Sequence, residues 1–212
     1  MNDIDISSSL QHSDVFQQWN KPPKVVDETK LLLSADSALG NIRFENTSSN
    51  EIEKVLPQSA HNVQLSVFDV ACYVMSKIKN CTTMKLQKLL YYCQAWYLVW
   101  NEKPLFNEQI EAWANGPVIR ELYNFHKGLF TITENMMNIG NPSKLTDNQK
   151  ADIDTVLEAY ADKTSQWLID QTHSELPWKE ARKGMQPSER GHNVITHQAM
   201  AEYYSSLYEQ EV

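Results

Sequence analysis

Glycine is scarce in this chain, with 6 in 212 residues, and none are grouped as Gly-x-Gly or Gly-Lys-Ser. That excludes a phosphate-cradling loop of the P-loop or dinucleotide type. Cysteine is scarcer still. Cys72, Cys81 and Cys93 form no Cys-x-x-Cys pair, and an odd count suits neither a disulfide framework nor a zinc site. A reducing cytoplasm fits this cysteine usage. No apolar run approaches the roughly 20 residues of a membrane span. The longest candidate, Leu86 to Trp100, is interrupted by Lys88 and Gln94 and reads as a buried helix. Met1 to Leu10 carries Asp3 and Asp5 and no basic, apolar core, so no secretory signal is read there. Basic residues are outnumbered, 19 to 27, giving a net charge of -8. This balance argues against a nucleic-acid surface, which depends on clustered Lys and Arg.

What is present divides near residue 65. Residues 1–64 hold nine acidic and five basic residues, polar clusters such as Ser7-Ser8-Ser9, and the Pro22-Pro23 pair. Their apolar residues come in short patches with no lasting period. Three readings stand open for this extension: an irregular, partly ordered leader, a segment that folds on a partner, or a small subdomain. Phe16, Trp19, Leu31 and Phe44 would be its partner anchors.

Residues 65–212 have helical periodicity, predicting an all-α fold of five to seven helices in a single compact domain. Val67, Val70, Ala71, Val74, Met75 and Ile78 share one face, with Ser66 and Asp69 as a capping box. A second helix of about 17 residues starts near Thr82, and its apolar face is wide enough to predict neighbours on more than one side. Leu105 to Asn115 reads as a loop with a short extended or helical piece. Pro117 suits the first turn of a helix ending near Gly128. Thr146 and Gln149 form another capping box, opening one long helix or two joined near residues 163–165. Thr172-His173 and Pro177-Trp178 are read as a turn, and a last helix runs from about Thr196.

The search for chemistry returns little. The six histidines show no His-Glu-x-x-His arrangement. His173 is the one candidate general base, set against a plain structural role at a helix junction. Cys93 lies on an apolar helix face and reads as core. Cys81 has no neighbouring histidine or cluster of cations to activate it. Glu108, Glu111 and Glu121 near Trp113 offer a carboxylate pair only by chance proximity. The reading is therefore of a binding module, with no catalytic residue, metal or cofactor expected. Trp113 stands out among the aromatics, because it lies outside any helical stripe and just before the Gly116-Pro117 break.

Thr83-Met84-Lys85-Leu86-Gln87-Lys88-Leu89-Leu90-Tyr91-Tyr92-Cys93-Gln94-Ala95-Trp96 resembles the signature helix of the Panacea domain of SocA-like antitoxins. Pro104-Leu105-Phe106, Ile110-Glu111-Ala112-Trp113, Gly116-Pro117-Val118, Glu121-Leu122-Tyr123, Thr172-His173 and Pro177-Trp178 follow in the same order, with Ile195 to Tyr204 similar to the closing helix. The departure at Cys93, where alanine is common, is conservative. The resemblance implies an all-helical, cytoplasmic antitoxin that neutralises a cognate protein toxin by direct binding, often in a prophage or mobile-element setting. Some relatives instead deliver the toxin to a protease as adaptors. A small hydrolase-like enzyme and a transcriptional autoregulator are the remaining alternatives. The expected partner surface is a groove at Trp113, Gly116, Pro117, Glu121 and Tyr123, with the extension as a second contact.

Overall fold

The structure is a computed structural model that describes residues 65–209. Phe16, Trp19, Leu31 and Phe44, with the rest of the extension, lie outside the described residues.

Helix α1, Val67–Ile78, starts where two side chains satisfy its free N–H groups. Ser66 Oγ accepts from Asp69 N at 3.3 Å, and the Asp69 carboxylate accepts from Ser66 N at 3.0 Å. This is the expected capping box. Asp69 is buried and also accepts from Asn141 N at 2.7 Å and Lys144 Nζ at 3.1 Å, pinning a distant loop to the helix start. Burial pushes its carboxyl pKa up, but the backbone donors of Ser66 and Asn141, with Lys144, outweigh it and hold the pKa below the ordinary value. Gly140 is required at this junction, since a Cβ there would collide with Phe68 O.

Strand β1, Asn80–Thr82, pairs antiparallel with β4, Thr131–Thr133, in the register Cys81 to Ile132. Helix α2, Thr83–Asn101, follows at once, capped by Thr82 Oγ1 accepting from Lys85 N at 3.1 Å. Every residue from Leu86 to Leu98 is buried, a pattern possible only for a helix surrounded on all sides. Helices α4 (Asp147–Tyr160), α5 (Ser165–Ser174) and α7 (His197–Glu209) pack around it, with α1 and a three-stranded sheet. Thr146 and Gln149 form their capping box, and Thr164 caps α5 separately, so this region is two helices.

The three-stranded sheet corrects the all-α expectation: the domain is mostly helical with two small sheets. Its order is β3-β2-β5, with β2 at Ile110–Trp113, β3 at Gly116–Ile119 and β5 at Val194–Ile195. Strands of two to four residues are too short for alternation to register in a sequence. Pro117 does not open a helix. It stands opposite Ala112 in β3, an edge strand, where a missing N–H is tolerated. Gly116 takes φ +99, which turns the β2–β3 hairpin through a conformation that favours glycine. Helix α3, Arg120–His126, begins only after β3, and Gly128 at φ +89 lies just beyond its end. Thr172 and His173 lie in the last turn of α5 and not in a connecting turn, and α6, Leu176–Ala181, takes Pro177 in its first turn. Seven α-helices are present among the described residues.

The core is aromatic, and Glu175 and Lys88 are among the ionisable groups buried in it. Tyr92 stacks on Tyr160 at 4.0 Å, and Tyr204 packs edge-on to both Tyr92 and Trp96. Glu175 sits among them, accepting from Tyr204 Oη at 2.7 Å and Tyr92 Oη at 3.1 Å. Burial raises its pKa to about 7 despite these donors, and burial lowers that of Lys88 to about 7.

These shifts have opposite consequences. Between the ordinary Glu value of 4.5 and about 7, the folded state keeps a proton that the unfolded chain releases, so stability falls as pH rises. Between about 7 and the ordinary Lys value of 10.5, Lys88 is neutral when folded and charged when unfolded, so stability rises with pH. Glu175 and Lys88 together should therefore give urea midpoints a minimum near neutrality, offset on the acid side by His126, His173 and His197, whose lowered pKa values add stability as pH rises toward 6.5. Glu175→Gln should flatten the acid-side limb, whose depth is on the order of 3 kcal/mol. A limb unchanged in that variant would contradict the assignment. A second test concerns Gln94, whose Oε1 accepts from Leu105 N at 3.0 Å and Phe106 N at 3.2 Å. Gln94→Leu leaves these buried donors unpaired and should cost about 2–4 kcal/mol in chemical denaturation.

Candidate functional site

The first turns of α2 form the floor of a cleft of about 330 Å³ through Thr83, Met84 and Gln87. One wall is the β2–β3 hairpin with Trp113 and Val118. The other is the end of α3 and the residues after it, from Tyr123 to Leu129. Ser188 and Arg190 complete the rim.

Gln87 sets the spacing between these parts. Its Oε1 accepts from Ile119 N at 2.8 Å, and its Nε2 donates to Ile119 O at 3.3 Å. The side-chain amide thus pairs with one backbone unit at the junction of β3 and α3. Gln87 Nε2 also lies 3.0 Å from His126 Nε2, and burial lowers the His126 pKa, favouring the neutral ring that accepts this bond.

Trp113 is fixed from several directions. Its indole N–H donates to Glu111 Oε2 at 2.7 Å, and its ring meets the Tyr123 ring at 4.7 Å in an edge arrangement. Its carbonyl accepts from Trp178 Nε1 at 2.9 Å. Arg190 lies over the ring at 5.1 Å and Arg120 at 5.9 Å. Glu111 is gripped by Arg120 through two bonds of 2.7 Å and faces His192 Nδ1 at 3.2 Å. Burial raises its pKa, but Arg120, Trp113 and His192 outweigh that and keep it below the ordinary value.

The rim loop is held by one buried cation. The Arg182 guanidinium donates to the carbonyls of Ala112 at 3.0 Å, Gln186 at 2.9 Å, Pro187 at 3.2 Å and Glu189 at 2.8 Å. Four carbonyl dipoles satisfy it in place of a carboxylate. Gly191 allows the close approach, because a Cβ there would collide with Ala112 O.

Of the residues expected at a groove, Trp113 and Tyr123 line the cleft together. Gly116 and Pro117 are buried behind it. Lys88 Nζ donates to Pro117 O at 3.0 Å, and a Cβ on Gly116 would lie 2.7 Å from Lys88 Cε. Glu121 is exposed and does not line the cleft. The three neighbouring carboxylates do not converge either. Glu108 accepts from Val67 N at 3.0 Å, at the start of α1, while Glu111 is held by Arg120. Sequence reasoning passed over Met84, Val118, Lys127, Leu129 and Arg190. The Lys127-Gly128-Leu129 step after a helix was a usable signal; Arg190 had none.

The remaining candidates for chemistry are His173 and Cys81, both half-buried, and Cys93, which is buried. His173 stacks on Trp178 at 4.1 Å, and its Nε2 is buried without a hydrogen-bond partner. Burial, followed by the nearby Lys88, lowers its pKa and favours the neutral ring. Burial pushes the Cys93 thiol far above its ordinary value and the Cys81 thiol to about 11, so neither is primed as a thiolate. Among the described residues no cluster of His, Cys, Asp and Glu has the makings of a metal site, and no helix is long and apolar enough to cross a membrane.

Residues 86–179 match the family model of the antitoxin SocA-like Panacea domain. The match spans a little under half of the chain. It runs from α2 to within α6, taking in the hairpin, Trp113, Tyr123 and Leu129 but not Ser188 or Arg190. No curated protein and no solved structure matches the chain. The rim loop therefore sits outside the matched Panacea stretch and closes onto it through Arg182 and Gly191.

Gly191→Ala tests that closure. It forces Ala112 or the loop to shift and should lower stability by about 1–3 kcal/mol, read from the urea midpoint. An unchanged midpoint would mean the loop is not clamped at this point.

Proposed function

We propose that this protein is an antitoxin that neutralises a protein toxin by direct binding, with the cleft beside Trp113 as a principal contact. The match of residues 86–179 to the Panacea domain carries the antitoxin reading. The arrangement of the cleft supports binding over chemistry. Its walls are largely apolar and aromatic, Thr83 and Gln87 are committed to backbone partners, and Trp113 is locked before any partner arrives. A preset aromatic anchor costs little entropy to bind against, and tryptophan is prominent among interface hot spots. The groove residues Gly116 and Pro117 act in this reading as backbone support, with Trp113 and Tyr123 as the contacting side chains. Phe16, Trp19, Leu31 and Phe44 of the extension are proposed as a second set of contacts.

Co-expression decides the matter. The gene beside this one, expressed alone, should arrest growth, and this protein should restore it. A toxic neighbour that this protein fails to neutralise would overturn the reading. Rescue that disappears in protease-deficient cells would replace direct inhibition with proteolytic delivery. Full rescue by residues 65–212 would remove the extension from the contact surface.

A further inference from the structure

We infer that the cleft beside Trp113 takes an acidic segment of the partner, seating one apolar side chain inside and its carboxylates on the rim. This rests on the antitoxin reading above and adds the chemistry of the segment.

Charge is the first ground. The chain carries 27 acidic against 19 basic residues, yet the residues lining the cleft include Lys127 and Arg190 and no carboxylate. Neither cation has an ion pair among the described residues, and Arg190 rests only on the Trp113 ring. Arg120, by contrast, is spent on Glu111. The cleft is thus a locally cationic site on an acidic protein, complementary to Asp and Glu.

The second ground is a preset apolar rim. Leu129, which lines the cleft, is 42% exposed, and the next residue, Phe130, is 79% exposed. Their backbone is tied down: Thr83 N donates to Phe130 O at 3.0 Å, and Thr83 Oγ1 to Leu129 O at 3.2 Å. Apolar side chains displayed on fixed backbone are what an interface requires, and they extend the contact beyond a small molecule's reach. A nucleic-acid strand would need more cations along its track than these two.

The test selects displayed random short peptides on the full chain. Enriched sequences should combine an aromatic or aliphatic residue with neighbouring Asp or Glu. A synthetic copy of an enriched peptide should bind the wild type, with affinity falling as salt rises. The double variant Lys127→Glu, Arg190→Glu should weaken it by about tenfold or more. Phe130→Ala, at an exposed position, should also weaken it without changing the melting temperature. A lysine-for-acid copy of the peptide should prefer the double variant. No enrichment, enrichment of neutral or basic peptides, or indifference to the double variant would overturn the inference. So would single-stranded DNA binding that the double variant abolishes. Co-expression separates the two readings. If the wild type rescues growth and the folded double variant rescues equally, the cleft inference fails while the antitoxin reading stands. If the wild type does not rescue, the antitoxin reading fails, and the peptide arm alone decides what the cleft holds.

Discussion

Helix α2 is enclosed along its length from Leu86 to Leu98, and three of the enclosed side chains are polar. The rest of the domain answers that constraint. A buried amide or ammonium without partners costs more than most single contacts return. Gln87, Lys88 and Gln94 each find backbone partners: the Ile119 unit, the Pro117 carbonyl, and the Leu105–Phe106 segment. The chain between 105 and 119 is therefore held to the helix by side chains that imitate a neighbouring strand. An apolar residue at 87 or 94 would fill the space and leave those backbone donors unpaired.

This places the cleft at the N-terminal end of α2 and gives it rigid walls. Gln87 fixes where β3 ends and α3 begins, so the Trp113 wall and the Tyr123 wall diverge from one anchored point. Lys88 presses the hairpin base against the helix, and only glycine at 116 leaves space for its side chain. On the far side, Arg182 draws the 186–189 carbonyls toward Ala112 and sets the rim that carries Arg190. Two buried basic side chains thus brace the hairpin, Lys88 through the Pro117 carbonyl and Arg182 through that of Ala112.

The helices were legible because their signals are local. Ser66 with Asp69, and Thr146 with Gln149, announced helix starts that the structure shows as complete capping boxes. The apolar run of α2 announced a central helix despite Lys88 and Gln94. The sheets were not legible, since strands of two to four residues carry no period, and β5 pairs with β2 across more than eighty positions of sequence. Pro117 misled for the same reason: a proline after glycine suits a helix start as well as an edge strand, and only the Ala112 pairing distinguishes them. Trp113 was found because an aromatic off a helical stripe needs another explanation, and Tyr123 through the Glu121-Leu122-Tyr123 motif of the resemblance. Arg190 was invisible, because its place over Trp113 depends on a loop closed by Arg182 and Gly191.

The buried pair of ionisable groups also bears on how the domain tolerates its partner. Glu175 ties α6 to α2 and α7 through Tyr92 and Tyr204, while Lys88 ties α2 to the hairpin. Both have pKa values moved to about 7 by burial, so near neutrality each contributes less than a fully satisfied apolar pair would. Lys88, which pins the hairpin wall of the cleft to α2, is thus also a residue whose burial is costly. A partner that binds only the folded cleft would add to the stability of the domain, since binding and folding are linked in the same sign.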